Sequence, residues 1–127
     1  MSGRGWNGMP FPPSEREREA CETIVENAGA ALDFTAGMTV AASEADQRTN
    51  YAVVRCLEII SEASRRLRAE TKARHPRIPW RDIADAGNFY RHAYHRLALD
   101  IVWKTVHDQL TEIIEVCRAE LSRPPAP

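Results

Sequence analysis

The stretch Gln47-Arg48-Thr49-Asn50-Tyr51-Ala52-Val53-Val54-Arg55-Cys56-Leu57-Glu58-Ile59-Ile60-Ser61-Glu62-Ala63-Ser64-Arg65-Arg66-Leu67 decides the fold class. Val53, Leu57, Ile60, Ser64 and Leu67 recur at spacings of three and four, which places them on one face of a helix. Val54, Cys56, Ile59 and Ala63 widen that face. The pattern predicts one long helix from Gln47 to about Lys72, with Asp46 as its cap. A stripe so broad faces more than one neighbour. Arg65, Arg66 and Arg68 fall on the other side, where charged residues usually meet solvent.

Upstream, Ser14-Glu15-Arg16-Glu17 fits a capping box, in which a serine hydroxyl and the carboxylate three residues on satisfy the free amides of a first turn. From there Cys21, Ile24, Val25, Ala28, Ala31 and Leu32 form an apolar stripe through about Phe34, and Gly37 is the expected stop. Thr39 to Asp46 reads as a short helical turn or loop. Downstream, His75-Pro76-Arg77-Ile78-Pro79-Trp80 is a connector, because the residue before each proline is pushed out of the helical region. Pro79 suits the first position of a further helix through Trp80, Ile83 and Ala84, with Trp80 as a buried anchor. Gly87 weakens that helix by about 1 kcal/mol relative to alanine, so it marks a bend or a close approach. Asp100 is placed to cap a last helix with Val102, Val106, Leu110, Ile113, Cys117 and Leu121 in one stripe, and Trp103 reads as core. No segment alternates with period two. The fold class is therefore all-α, an antiparallel helix bundle over residues 14–121, with residues 1–13 and 122–127 as disordered tails rich in proline.

The 127 residues suit one domain, and 43% hydrophobic with 28% charged residues is an ordinary globular balance. The formal net charge of −1 hides an uneven distribution: nine Lys/Arg face four Asp/Glu between Ser61 and Arg96, against eight and fourteen elsewhere. A local basic excess attracts a phosphate backbone, or is simply a solvated helix face. Cys21, Cys56 and Cys117 have no metal-type spacing and sit inside apolar patterns, as small core residues in a reducing cytoplasm do. No apolar run reaches the ~18 residues that span a bilayer. The glycines and prolines at the start also do not resemble a secretory signal.

One polar interruption concentrates the chemistry. Between residues 85 and 103 the chain places Asn88, Arg91, His92 and Tyr94 together between apolar segments. An imidazole that titrates near neutrality gives or takes a proton, and a guanidinium holds a phosphate through paired donors, a combination suited to cleaving a phosphodiester. Each residue has a plainer reading beside that one. His92 suits a hydrogen-bonded histidine at a dimer seam, Arg91 a surface ion pair, Asn88 a helix junction and Tyr94 a half-buried ring with a satisfied hydroxyl. His92 and His95 could share a metal, but no cysteine or carboxylate stands in register, so no metal or other cofactor is expected.

Four motifs in order carry a resemblance: residues 57–63 (Leu57-Glu58-Ile59-Ile60-Ser61-Glu62-Ala63), residues 76–83 beginning Pro76-Arg77-Ile78-Pro79-Trp80, then Asn88 with His92-Ala93-Tyr94, then Asp100-Ile101-Val102-Trp103. Together they resemble the HepT-like proteins of the HEPN superfamily. The resemblance implies a cytoplasmic helix bundle that forms a homodimer. It further implies a metal-independent ribonuclease toxin of a type VII toxin–antitoxin pair, with RNA as substrate. The partner would be an MntA-like nucleotidyltransferase antitoxin that neutralises the toxin by adenylylating a tyrosine. The family pattern is Arg, Asn, three variable residues, His, one variable residue and Tyr. Asn88, His92 and Tyr94 fall on it, which assigns His92 to catalysis, Asn88 to its support and Tyr94 to AMP modification. Gly87 stands where the family has arginine, and Arg91 is the substitute at hand. On a helix Arg91 points about 100° away from His92, so its guanidinium would reach the reacting phosphate across a dimer interface. The alternative is a catalytically inactive HEPN dimer that keeps the nucleotidyltransferase as a binding partner.

Overall fold

The computed structural model describes residues 13–91 and 96–124, with side chains at all of these except 13, 14, 40, 44, 87–91, 96–103, 105 and 106. Six helices follow in order: α1 (Pro13–Thr35), α2 (Val40–Ala45), α3 (Gln47–Ser64), α4 (Ala69–Ala73), α5 (Trp80–Arg91) and α6 (Arg96–Leu121). Among the described residues there is no strand. The expected all-α bundle is what forms.

The central helix is α1, which packs against both α3 and α6, while α3 also packs against α5. Contacts near the ends give the directions. Glu17 near the start of α1 meets Arg68 just beyond α3, and Arg18 Nη1 donates to the Leu121 carbonyl at the end of α6, 3.0 Å away. Hence α1 runs antiparallel to both neighbours. Ser61 late in α3 reaches Ala84 early in α5, so that pair is antiparallel too. The breadth of the apolar stripe on α3 has its explanation here: α1 and α5 take different sides of it.

The core lies where these faces meet. Cys21, Ile24, Ala28 and Ala31 of α1, Val53, Val54, Leu57 and Ile60 of α3, and Leu110, Ile113 and Cys117 of α6 are all buried. Removing a side chain such as Ile24 or Ile113 from water contributes about 1.5–3 kcal/mol. On α1 the buried contacts are mostly small residues, Ala20, Cys21, Ala28 and Ala31. All three cysteines are free and buried, as expected of core residues. Cys117 is held in the thiol form, its pKa raised by a hydrogen bond to Cys21 and by burial. No described helix is long and apolar enough to cross a membrane.

Local chemistry sets the helix ends. Gly37 has φ +74°, the left-handed conformation that ends a helix without a Cβ clash, and the Met38 amide closes the turn on the Thr35 carbonyl at 3.0 Å. Thr39 Oγ1 accepts from the Ala42 amide and caps α2 at 3.1 Å. Asp46 caps α3 as its position suggested, with Oδ1 3.1 Å from the Thr49 amide and Oδ2 2.8 Å from the Thr49 hydroxyl. Those two bonds, the backbone one foremost, lower the pKa of its carboxyl.

Four expectations need correction. The long helix predicted from Gln47 to about Lys72 is two helices, α3 and α4, separated by a turn at residues 65–68. Leu67 stays buried through that turn, so the apolar period continues where the backbone does not. Glu17 does not complete a capping box. Its carboxylate crosses to α4, accepting from the Arg68 amide at 2.7 Å, Arg68 Nε at 2.9 Å and the Thr71 hydroxyl at 2.7 Å. Pro79 precedes the first turn of α5 and supplies the carbonyl for the Ile83 amide at 3.0 Å. Finally, α6 begins at Arg96 and holds Asp100 inside it, because Leu97, Ala98 and Leu99 are good helix formers that need no later start.

Candidate functional site

The residues singled out from sequence lie along the chain at the end of α5 and in the segment between α5 and α6. Asn88 and Arg91 belong to the last turns of α5, but their side chains lie outside the described ones. His92, Tyr94 and His95 lie outside the described residues altogether, as do the tails at 1–12 and 125–127. The side chains of Val102, Trp103 and Val106 are likewise outside the described set. What the structure supplies is the frame on which this segment is carried.

At the start of α5 the frame is apolar. Trp80 is 9% exposed and its indole N–H donates to the His75 carbonyl at 3.0 Å, while Ile78 beside it is buried. Trp80 is thus the anchor that its place after Pro79 suggested. Ile83 and Ala86 pack on the core one and two turns later. The polar part of the frame comes from α3. Ser61 Oγ donates to the Ala84 carbonyl at 3.0 Å, and Arg65 Nη2 donates to the same oxygen at 2.5 Å. Arg65 is steadied in turn by Glu62, whose Oε1 is 3.3 Å from Nη1. The arginines beyond α3 are therefore not uniformly solvated: Arg65 holds α5 and Arg68 holds Glu17.

The second helix of the frame is fixed at its far end. Glu120 accepts from Arg74 through both oxygens, Nη2 to Oε1 at 2.8 Å and Nε to Oε2 at 3.2 Å. His75 Nε2 lies 2.6 Å from Oε2. These bonds, led by Arg74, hold the Glu120 carboxyl below its ordinary pKa, and the same carboxylate raises that of Arg74. From Arg96 to Glu120 the helical rise is about 36 Å, so this cluster stands at the opposite end of α6 from the candidate segment. It holds the α4–α5 connector against α6 and leaves no carboxylate oxygen without a partner. Among the described residues no group of three or more metal-ligating side chains comes together.

Neither the Glu120 cluster nor the Ser61–Ala84 contact was anticipated from the sequence. For Glu120 a signal existed. It lies three residues after Cys117, on the side of the helix that carries the apolar stripe, where an acid needs a partner. For Ser61 and Arg65 there was none, because the acceptor is a backbone carbonyl that any residue supplies.

Comparison with known proteins adds a family. Residues 24–120 match the family described as HepT-like, ribonuclease HepT-like, a span from the middle of α1 to the end of α6. A protein of Thermococcus cleftensis named "Probable ribonuclease HepT" is 33% identical over 96 residues, covering 76% of this chain and 87% of the relative. One of Methanocaldococcus jannaschii named "Putative RNase MJ1380" is 30% identical over 90 residues, covering 71% of this chain and 83% of the relative. Another, "Putative RNase TTE0752" of Caldanaerobacter subterraneus subsp. tengcongensis, is 29% identical over 104 residues, covering 82% and 87%. No solved structure matches the chain.

Proposed function

Because this chain belongs to the HepT-like family, we propose that it is a metal-independent endoribonuclease toxin with its active site at the α5–α6 junction. The observation that carries the reading is the family match over residues 24–120, within which Asn88, His92 and Tyr94 keep the family's spacing. RNA supplies its own nucleophile. His92 takes the proton of a 2′-hydroxyl, the oxygen attacks the adjacent phosphorus, and the bond from phosphorus to the 5′-oxygen of the next nucleotide breaks as that oxygen takes a proton from water. Arg91 stabilises the charge that grows on the phosphoryl oxygens, reaching the site from the second chain of a homodimer. Asn88 supports the segment from one turn earlier.

The partner in this reading is an MntA-like nucleotidyltransferase antitoxin, acting in the cytoplasm. Transfer of AMP to the Tyr94 hydroxyl puts an anion close in sequence to Arg91, His95 and Arg96, whose charge-assisted hydrogen bonds would hold it where a substrate phosphate binds. Co-expression with that partner is expected to add one or more AMP units to the wild type and none to Tyr94→Phe, read by intact mass. A wild type that is neutralised yet unmodified would replace this chemistry with inhibition by binding.

Expression of the protein alone, with growth and RNA integrity followed, is the direct test. Growth arrest and RNA cleavage are expected. His92→Ala should abolish both while the helical circular dichroism stays nearly unchanged. Undiminished cleavage by His92→Ala removes the imidazole from the mechanism.

A second reading rests on Gly87, which stands where the family pattern has arginine. In it the protein is a catalytically inactive dimer that binds the nucleotidyltransferase. Purified protein that leaves RNA intact but forms a stable complex with that partner would favour it.

A further inference from the structure

A carbonyl inside a helix accepts one bond from the amide four residues on, and for Ala84 that amide belongs to Asn88. Two further donors converge on the same oxygen, Ser61 Oγ of α3 at 3.0 Å and Nη2 of Arg65, the residue that ends it, at 2.5 Å. An sp² oxygen has two lone pairs, so three donors oversubscribe it, and side chains that enter the ladder are a recognised cause of helix bending. Ser61 is 1% exposed within the core, and Arg65, at the surface, also pairs with Glu62 at 3.3 Å. Downstream of Ala84, Gly87 contributes no side chain to resist a change in axis.

We propose that Ser61 and Arg65 are positioning residues, which set the course of the second half of α5 through the Ala84 carbonyl and thereby the backbone placement of Asn88 and Arg91. This rests on the ribonuclease reading only for its catalytic consequence. Arg91 follows Ala84 by seven residues, about 10 Å of helical rise, so a change of about 10° in the axis displaces its backbone by about 2 Å. A misplacement of about 1 Å at a reacting group can lower the rate about a hundredfold. Substrate affinity, made by contacts along the whole strand, changes much less.

The test compares Ser61→Ala, Arg65→Met and Arg65→Lys with the wild type in two measurements. Amide hydrogen exchange over residues 85–91 is expected to rise about tenfold in Ser61→Ala and Arg65→Met, with the core amides around Ile24 and Ile60 unchanged. In RNA cleavage kcat is expected to fall about a hundredfold with KM within about threefold, and Arg65→Lys, which keeps a cationic donor, should recover most of the loss. Exchange that stays at wild-type rates overturns the proposal, and so does exchange that rises equally throughout the core. A kcat that stays unchanged while exchange rises also overturns it. If the wild type cleaves no RNA, the ribonuclease reading fails and the exchange measurement alone decides the positioning role.

Discussion

Glu120 is 11% exposed and holds Arg74 through both oxygens, with His75 against the second. Replacing it by glutamine keeps the shape but removes the charge that these donors share. Loss of a charge-assisted pair at a half-buried site costs about 2 kcal/mol, so Glu120→Gln should lower the melting temperature by about 8 °C. The pH dependence has a definite sign. Arg74 and His75 depress the folded-state pKa of Glu120, so its stabilising effect is complete above the ordinary value of 4.5 and is lost as pH falls through the depressed value. Thermal melts of wild type and Glu120→Gln should therefore differ most at neutral pH and converge in acid. A constant difference down to pH about 2 would show that the charge of Glu120 is not what stabilises the clasp. The candidate catalytic residues are proposed at this scale from type and spacing alone. Asn88, His92 and Tyr94 are identified by a pattern, whereas Ser61 and Arg65 act on a main-chain atom and leave no trace in the sequence.

At the scale of elements, α4 is short and its N-cap residue, Arg68, provides no side-chain cap. The acceptor comes from Glu17, 51 residues earlier, which also accepts a hydrogen bond from the hydroxyl of the buried Thr71. Glu17→Ala should cost about 2–3 kcal/mol and should raise hydrogen exchange first at residues 68–73. Exchange that rises evenly along α1 instead would place the role of Glu17 within its own helix. This dependence explains why the break between α3 and α4 was not readable. Apolar spacing registers burial, Leu67 remains buried across the turn, and the group that starts α4 is distant in sequence. By contrast the stop of α1 at Gly37 and the start of α3 at Asp46 were legible, because the groups that define them are local.

For the whole molecule, the broad apolar face of α3 called for more than one neighbour, and the fold supplies two within the chain, α1 and α5. Homodimerisation accordingly rests on the family resemblance and on a site that needs Arg91 from a second chain. The expected mass in solution at micromolar concentration is about twice the chain's 14.3 kDa. A clean monomer that still cleaves RNA would rule out a shared site. The bundle itself was readable from composition and period, since three long amphipathic patterns with short connectors have few ways to cover one another.

The bond from Arg18 to the Leu121 carbonyl places the beginning of α1 beside the end of α6. Both ends of the described chain thus leave from one pole, and α6 spans about 39 Å from the other, where it begins after the candidate segment in the chain. Protein immobilised on a solid support through either terminus should consequently offer that far pole to the surrounding liquid. Attachment at residue 16 or 123 would give the same turnover of a long RNA, whereas anchoring through a residue introduced at Lys104, early in α6, would slow it.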